Sequence, residues 1–382
     1  MNAGRSAAVN TNNNLTMSRS RIAFRDVSNR VKQGGASKLG KGKQKRTVRT
    51  EHSAAVAATK KPSLPKTVDG SSGGGVKTSI NRAYPCSSEP KLPPPSKCTN
   101  NAASTRARDI DARDKDDPLM ATDYVQDMFQ YFREQESRAI ASPYLFEDDN
   151  HDAIQPKINQ RMRAILVDWL VDIHHKMKCD PTVLYLTVQI LDRFLAADAN
   201  KASKKNLQLI GTSAFLIAGK YEQIYPAPIS DLVYVCDRIY TEDDIISMET
   251  TILKALNYQI SLPTPHSFLL RFLNAAHADK KLVFLTQFIL ETSLHSYELV
   301  IKYTSSQLAA AAVLIGRITI GRNNWSPTLV KYAEYSEDDI IPIARDVMEE
   351  NKKLRFGLTA VKRKFSRDRY LKVANAALPS EF

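Results

Sequence analysis

Apolar residues recur every three or four positions between Ile158 and Met177, in the string INQRMRAILVDWLVDIHHKM. They are Met162, Ile165, Leu166, Trp169, Leu170 and Ile173. This spacing matches the 3.6-residue period of an α-helix and sets a wide apolar stripe along one side of the segment. Such a stripe needs partners that cover it, so the string predicts a helix packed among other helices.

The same period continues through most of the chain after Pro118, and no run alternates as a strand does. A first helix is predicted from Pro118 to about Ile140. Beyond the string above, further helices are predicted at about 181–196, 206–221, 229–236 and 241–257, and again at 266–276, 280–294, 305–320, 327–335 and 337–354. Pro263 and Pro265 break the pattern between the two groups, because proline is excluded from helix interiors. We therefore predict an all-α fold made of two five-helix units.

The two units share a trace of sequence. The strings AFLIAGK and AAVLIGR lie 97 residues apart. Each has small residues, Ala214 and Gly219 in the first and Ala311 and Gly316 in the second, that favour close packing of a central helix. The pattern predicts a tandem duplication.

Charge divides the chain differently. Residues 1–108 carry 21 Lys or Arg against 4 Asp or Glu, whereas residues 109–382 carry 33 against 37. The first part has few aromatic residues and cannot bury enough apolar surface to offset its conformational entropy, so we predict that it is disordered. Its basic cluster KGKQKR has two open interpretations, a nuclear-import signal and a solvated linker.

The sequence contains no familiar catalytic or metal-binding motif. Its four cysteines form no CxxC pair, which indicates a reducing compartment rather than a zinc site. His174 and His175 point about 100° apart on a helix and are interpreted as surface residues. Asp168 and Asp172 are interpreted as part of a solvated face. We expect no cofactor, no metal and no membrane span.

The string MRAILVDWLVDI resembles the opening of the cyclin box, and the tandem five-helix plan resembles that of the A- and B-type mitotic cyclins. The resemblance runs from about Asp123 to Val373. It is carried by DYVQDMFQYFRE, LDRFLA, LQLIGTSAFLIAGKYEQIYP and METTILKALNY, in the family's order. In the second unit, the string FLLRFLNAAHADKK resembles B-type cyclins more than A-type cyclins.

This resemblance implies both a layout and a function. The layout is a basic regulatory tail at 1–117, a docking helix at 118–141, a first cyclin box at 142–258, a second box at 259–373 and a C-terminal tail at 374–382. The implied function is binding and allosteric activation of a cyclin-dependent serine/threonine kinase at the G2/M transition, in the nucleus and cytoplasm. The chain itself would supply no catalytic group.

Six residues match the kinase interface of the family. They are Lys220, Glu249, Tyr258, Tyr124, Met128 and Tyr131. Alternatives stay open for all of them: a plain surface role for Lys220 and Glu249, core packing for Tyr258, and purely intramolecular packing for the other three.

A second set matches the patch with which cyclins capture Arg-x-Leu motifs of substrates or inhibitors. The set is Met162, Ile165, Leu166, Trp169, Asp172, Leu207 and Gln208. The apolar members would hold the Leu, and Asp172 would hold the Arg, with a shorter reach than the Glu usual in A-type cyclins. The alternative is that these are core residues. Separately, Arg163 and Asp192 are predicted to form an internal ion pair between the first two helices of the box.

In the tail, RIAFRDVSN resembles the destruction box RxxLxxxxN, by which the anaphase-promoting ubiquitin ligase captures mitotic cyclins. Arg21 and Asn29 hold its polar ends and Asp26 matches its interior, while Phe24 occupies the Leu position. The resemblance implies ubiquitin-dependent degradation at mitotic exit, with a chance match as the alternative.

The competing hypothesis is a cyclin-fold general transcription factor that holds DNA and polymerase; an enzyme is a remote third possibility. DNA binding requires positive charge on the folded part. Residues 109–382 carry 33 basic against 37 acidic residues, so nucleic acid is not an expected partner.

Overall fold

A computed structural model describes residues 107–145, 158–198, 201–322, 325–353 and 357–379. Within these ranges the protein is all-α, which confirms the predicted fold class, with thirteen α-helices and no strand. The helices are α1 Val125–Ala139, α2 Gln160–Met177, α3 Pro181–Ala197, α4 Leu207–Glu222, α5 Ile229–Val235, α6 Glu242–Ala255, α7 Pro265–Ala275, α8 Lys280–Ser293, α9 Tyr297–Lys302, α10 Ser305–Thr319, α11 Pro327–Ala333, α12 Glu337–Lys353 and α13 Ala360–Phe365.

Local capping explains where several helices begin. Thr241 accepts a hydrogen bond from the backbone N of Asp244, whose carboxylate accepts one in return from the backbone N of Thr241, so α6 opens with a capping box. Thr304 and Gln307 form the same motif at α10. Pro265 lies in the first turn of α7, where its missing N–H costs nothing. Pro265 therefore lies at the break between the two units and also starts the first helix of the second unit.

The central helices α4 and α10 are buried along most of their length, in agreement with the predicted duplication. Of Gly219 and Gly316, the two glycines predicted to allow close packing, only Gly316 is in a close contact. A Cβ on Gly316 would lie 2.7 Å from Thr286 Cγ2, so a larger residue there would force neighbouring atoms to shift. A Cβ on Gly219 would meet nothing nearer than 3.7 Å. The tight glycine of α4 is instead Gly211, whose added Cβ would lie 3.0 Å from Leu166 Cδ1.

Two hydrophobic cores form, and each takes residues from both units. The core around α4 includes Tyr297 of α9. The core around α10 includes Val167 and Val171 of α2, together with Leu184 and Tyr185 of α3. Because each core is completed by the other unit, the two halves do not pack independently.

The structure adds elements that the sequence pattern missed. The second unit contains the six-residue helix α9, and α13 follows it. The first helix is also shorter than predicted: it begins at Val125, and a 3₁₀ turn occupies Pro118–Met120. No helix in the described ranges has the length and apolar character needed to cross a membrane.

Candidate functional sites

Helix α1 is fixed to the second unit by one of its faces. Phe129 and Phe132 pack edge-to-face on Phe268, with ring centroids 5.9 and 6.3 Å away. Glu136 accepts hydrogen bonds from the backbone N and Oγ of Ser306, each 2.9 Å long, at the start of α10. Burial raises the pKa of Glu136, while the bonds from Ser306 oppose the rise. These contacts set the orientation of α1.

A neighbouring face of α1 points to solvent. Tyr124, which precedes the helix, is 68% exposed, and Met128 and Tyr131 are also exposed. They follow at spacings of four and three residues, so they form one stripe. Intramolecular packing therefore does not account for these three residues, and an apolar row of this kind is available to a partner.

Lys220, near the C-terminal end of α4, and Glu249, in the middle of α6, are joined by a salt bridge. Lys220 Nζ lies 2.7 Å from Glu249 Oε1 and 2.8 Å from Oε2. Glu249 is largely buried, whereas the Lys220 side chain is 46% exposed. The lysine thus reaches solvent while its carboxylate partner holds it in place.

Exposed aromatic and apolar side chains lie on or just after α4 and α6, the two helices that carry this salt bridge. Tyr258 follows α6 in a left-handed conformation with φ 58° and is 65% exposed, which excludes core packing. Tyr221, next to Lys220, is exposed and hydrogen-bonds through its hydroxyl to Ser261. Ile224 and Tyr225, in the following loop, are 90% and 89% exposed. Sequence reasoning missed Tyr221, Ile224 and Tyr225, although three large apolar residues in the polar loop string KYEQIYP were a usable signal.

Arg163 and Asp192 form a buried, two-pronged ion pair. Arg163 Nε and Nη2 each donate to a carboxylate oxygen of Asp192 at 2.7 Å. The arginine has no exposed surface. Burial acts to lower the pKa of Arg163, but the Asp192 carboxylate outweighs it and the pKa is raised. The guanidinium is therefore charged in the folded protein.

The same arginine also reaches the second unit, which the sequence did not predict. Its Nη1 donates to the carbonyl oxygens of Leu294 and His295, at 2.9 and 3.2 Å. The hydroxyl of Tyr144 donates to Asp192 Oδ1 at 2.7 Å. In turn, Tyr297 Oη accepts from the backbone N of Tyr144 at 2.7 Å. The ion pair is thus the centre of a network that ties α2 and α3 to the second unit.

The residues of the predicted docking patch divide into two groups. Leu166, Trp169 and Leu207 are buried in the core around α4, and Trp169 is only 6% exposed. Met162, Ile165 and Gln208 are half-buried and reach the surface. The buried three are therefore core residues, and any ligand would contact mainly the other three.

Both acidic residues on the outer side of α2 have partners in the C-terminal segment, so the predicted solvated face is wrong. Asp168 accepts hydrogen bonds from the backbone N of Thr359 and Ala360, at 3.3 and 2.9 Å, and so caps α13. Arg363 Nη2 donates to both carboxylate oxygens of Asp172. Burial raises the pKa of Asp172, and Arg363 opposes this rise. Apolar periodicity did not predict α13.

The interpretation of His174 as a surface residue is also wrong. His174 is buried, and its Nε2 lies 2.9 Å from the carbonyl oxygen of Asp180, so Nε2 carries a proton and donates. Burial, aided by the charge of Lys364, lowers the pKa of His174 to about 4. His175 is half-buried, and burial together with nearby cations such as Arg367 lowers its pKa to about 4 as well.

Arg21, Phe24, Asp26 and Asn29 lie outside the described residues, so the degradation motif stays a prediction. In the part of the chain that the structure describes, no three His, Cys, Asp or Glu side chains are grouped to hold a metal ion.

Two protein-family models match the chain. The model "Cyclin, N-terminal domain" matches residues 127–261, and "Cyclin, C-terminal domain" matches residues 263–379. Their junction lies a few residues after the predicted boundary at 258. The matched ranges contain both predicted units.

Curated relatives are mitotic cyclins of plants. Cyclin-B2-2 of Oryza sativa subsp. indica is 40% identical over 266 residues, which cover 69% of this chain and 61% of the relative. G2/mitotic-specific cyclin-2 of Medicago sativa is 39% identical over 259 residues, which cover 67% of this chain and 76% of the relative. The chain therefore spans about three fifths of the first relative's length.

Among solved structures, the X-ray structure of a viral cyclin from herpesvirus saimiri superposes with a TM-score of 0.47 at 24% identity, over 53% of this chain and 89% of the viral one. The family assignment follows from the sequence matches instead. Because the two cyclin domains follow each other in the expected order and the relatives match both, this chain belongs to the mitotic cyclin family and is similar to its B-type members.

Proposed function

We propose that this chain is the regulatory subunit of a cyclin-dependent serine/threonine kinase, which it binds and activates allosterically. The observation that carries the proposal is a set of exposed aromatic residues, Tyr221, Tyr225 and Tyr258, that lie on or just after the two helices joined by the Lys220–Glu249 salt bridge. Large exposed aromatic residues beside a fixed charge are the composition of an interaction hot spot. The exposed stripe of α1 supplies a second contact region of the same kind.

Activation follows from differential binding. Phosphoryl transfer by a protein kinase requires an ion pair between a strand lysine and the glutamate of its regulatory helix, together with an ordered activation loop. A helical partner that binds only the competent arrangement shifts the population toward it. This chain contributes no group to the reaction itself. Its negative folded part, with 37 acidic and 33 basic residues over 109–382, argues against the DNA-binding alternative.

The test is kinase binding and activation by purified full-length chain. Lys220→Ala combined with Glu249→Ala, or Tyr258→Ala alone, is expected to weaken binding by about 2 kcal/mol, roughly thirtyfold in Kd, as hot-spot residues do. Tyr234→Ala is the matched control, since Tyr234 is an equally large exposed aromatic on α5, in contact with Lys176. A folded Tyr258→Ala variant that binds and activates like the wild type contradicts the interface assignment.

The docking of Arg-x-Leu substrates or inhibitors is part of the same proposal. The half-buried Met162, Ile165 and Gln208 support it, since these members of the predicted patch reach the surface whereas Trp169 is buried in the core. Ile165→Ser is expected to slow phosphorylation of a substrate that carries the motif and to spare a short peptide that lacks it. Equal loss on both substrates would mean a folding defect instead.

We also propose that the chain acts at G2/M, in the nucleus and cytoplasm, and that the anaphase-promoting ubiquitin ligase marks it for degradation through Arg21, Phe24, Asp26 and Asn29. Arg21→Ala with Phe24→Ala is expected to prolong the protein's life through mitotic exit. Arg5→Ala with Leu15→Ala, an arginine and an apolar residue elsewhere in the tail, is the control. Disappearance of the first variant on schedule refutes the degradation motif.

A further inference from the structure

The acidic end of the docking patch already has an occupant. Ile165, Asp168 and Asp172 lie at spacings of three and four residues on α2, so they share one side of the helix. Asp168 is engaged with the backbone at the start of α13, and Asp172 binds Arg363 through both carboxylate oxygens. An arginine from a docking motif that approached Ile165 would find neither of these two carboxylates without a partner.

Arg363 is presented from a firmly anchored support. The next residue, Lys364, is buried and lies 2.6 Å from Glu291 Oε1 of α8. Phe365 is fully buried and packs against Phe288 and Tyr370, with ring centroids 5.8 and 4.8 Å away. These contacts, with the cap from Asp168, hold α13 against α2 and α8. The Arg363 side chain itself is 46% exposed, so it can be exchanged locally without unfolding α13.

The charge around Asp172 is also unfavourable to a second arginine. Arg367 is exposed on the same segment as Arg363, contacts His175 one turn from Asp172, and acts electrostatically on the Asp172 carboxylate. The Asp172 carboxylate therefore faces two arginines, Arg363 and Arg367, with Asp168 as a neighbouring acid. An arriving guanidinium must displace Arg363 and approach like charges, which offsets the gain from a new ion pair.

We propose that Arg363 is a specificity-determining residue of the docking patch: by holding the Asp172 carboxylate, it makes the patch select a Leu-containing motif without selecting for the arginine. This inference rests on the proposed function, because it takes the surface of Met162, Ile165 and Gln208 as the docking site. The patch of this chain then recognises only the Leu of the motif.

The test compares two fluorescent peptides, one with an Arg-x-Leu motif and one with Ala-x-Leu, by anisotropy on the full-length chain. The wild type is expected to bind them within about twofold. Arg363→Gln is expected to bind the arginine peptide roughly three to ten times more tightly than the alanine peptide, the scale of a freed charge-assisted contact. Adding Asp172→Asn to Arg363→Gln is expected to return the two affinities to within about twofold, because the acid is then gone.

Lys362→Gln is the matched control, since it removes one positive charge from the neighbouring exposed position and is expected to behave as the wild type. Thermal unfolding followed by circular dichroism checks that each variant is folded. If Arg363→Gln does not fold, Asp172→Asn alone gives the answer: it is expected to leave binding of the arginine peptide unchanged, and a loss of more than about threefold overturns the inference.

Three other outcomes overturn it: a wild type that already prefers the arginine peptide, a Lys362→Gln variant that gains the same preference as Arg363→Gln, and an Arg363→Gln variant that binds neither peptide. Kinase activation by the wild-type chain on a peptide without the motif is measured in parallel. If the wild-type chain does not activate the kinase on this peptide, the proposed function is wrong. If activation is normal and any of the three outcomes is observed, only the Arg363 inference is wrong.

Discussion

Replacing Asp192 with alanine removes the counter-charge of an arginine that has no exposed surface. Arg163 loses the two 2.7 Å bonds to Asp192 and keeps those to the carbonyls of Leu294 and His295. Breaking a buried ion pair from one side costs about 3–5 kcal/mol. A folded domain has only about 5–15 kcal/mol of stability, so the variant is expected to lose at least about a fifth of it.

The assay is urea unfolding of the full-length chain, followed by tryptophan fluorescence and by circular dichroism. The two tryptophans, Trp169 of the first box and Trp325 of the second, report on one box each. Single-tryptophan versions made with Trp325→Phe or Trp169→Phe therefore separate the transitions. Because Arg163 bonds to both boxes, Asp192→Ala is expected to lower the midpoint of both.

Two controls fix the interpretation. Tyr144→Phe removes one hydroxyl from the same network and is expected to cost about 1 kcal/mol. Arg163→Met with Asp192→Leu removes both charges and is expected to regain most of the lost stability, since apolar groups replace the pair. An Asp192→Ala variant that loses less than about 1 kcal/mol, or that affects only the first box, refutes the reasoning.

Two further predictions concern buried groups. The pKa of His174 is lowered to about 4 from an unfolded value near 6.5, so the unfolded chain binds more protons and stability falls as pH drops from about 6.5 to about 4, by at most roughly 3 kcal/mol. Unfolding curves at several pH values are expected to show a smaller decline in His174→Gln, with exposed His277→Gln as the control; an unchanged decline contradicts this assignment. Gly316→Ala is expected to cost about 1–3 kcal/mol by overpacking against Thr286 and Leu282, whereas Gly219→Ala, which has room, is expected to be neutral or slightly stabilising. Equal effects of the two glycine variants in urea unfolding would show that the contact at Gly316 relaxes freely.

Apolar periodicity predicted the long helices because the pattern is local. It can be recognised in each segment without knowing which helices pack against it. Periodicity placed α3 within one residue of its observed ends, and it placed the starts of α6 and α10 within one residue. The six-residue helices α9 and α13 escaped because so short a segment shows fewer than two turns of period. Their helical state depends on tertiary contacts such as the cap that Asp168 gives to α13.

The candidate sites were predictable only in part, for a related reason. A local pattern identifies Tyr124, Met128 and Tyr131 as a stripe, but whether a stripe faces a core or solvent depends on what packs against its helix. The partners of Asp168 and Asp172 lie about 190 residues away along the chain, and no spacing rule connects them. The burial of His174 has the same origin, because its surroundings include α13 through Lys364.

Rigidity links the buried network to the proposed activity. A partner that shifts a kinase toward one conformation does so with its binding energy, and a loose partner would spend that energy on its own ordering. Here Lys220, near the end of α4, and Glu249, in the middle of α6, are fixed to each other, and α4 is buried in the core that Tyr297 of the second box completes. The Arg163 network ties that core to the second box, where Glu136 holds α1. The two exposed contact regions are therefore held by a single connected framework, which is the property that an allosteric activator of a flexible enzyme requires.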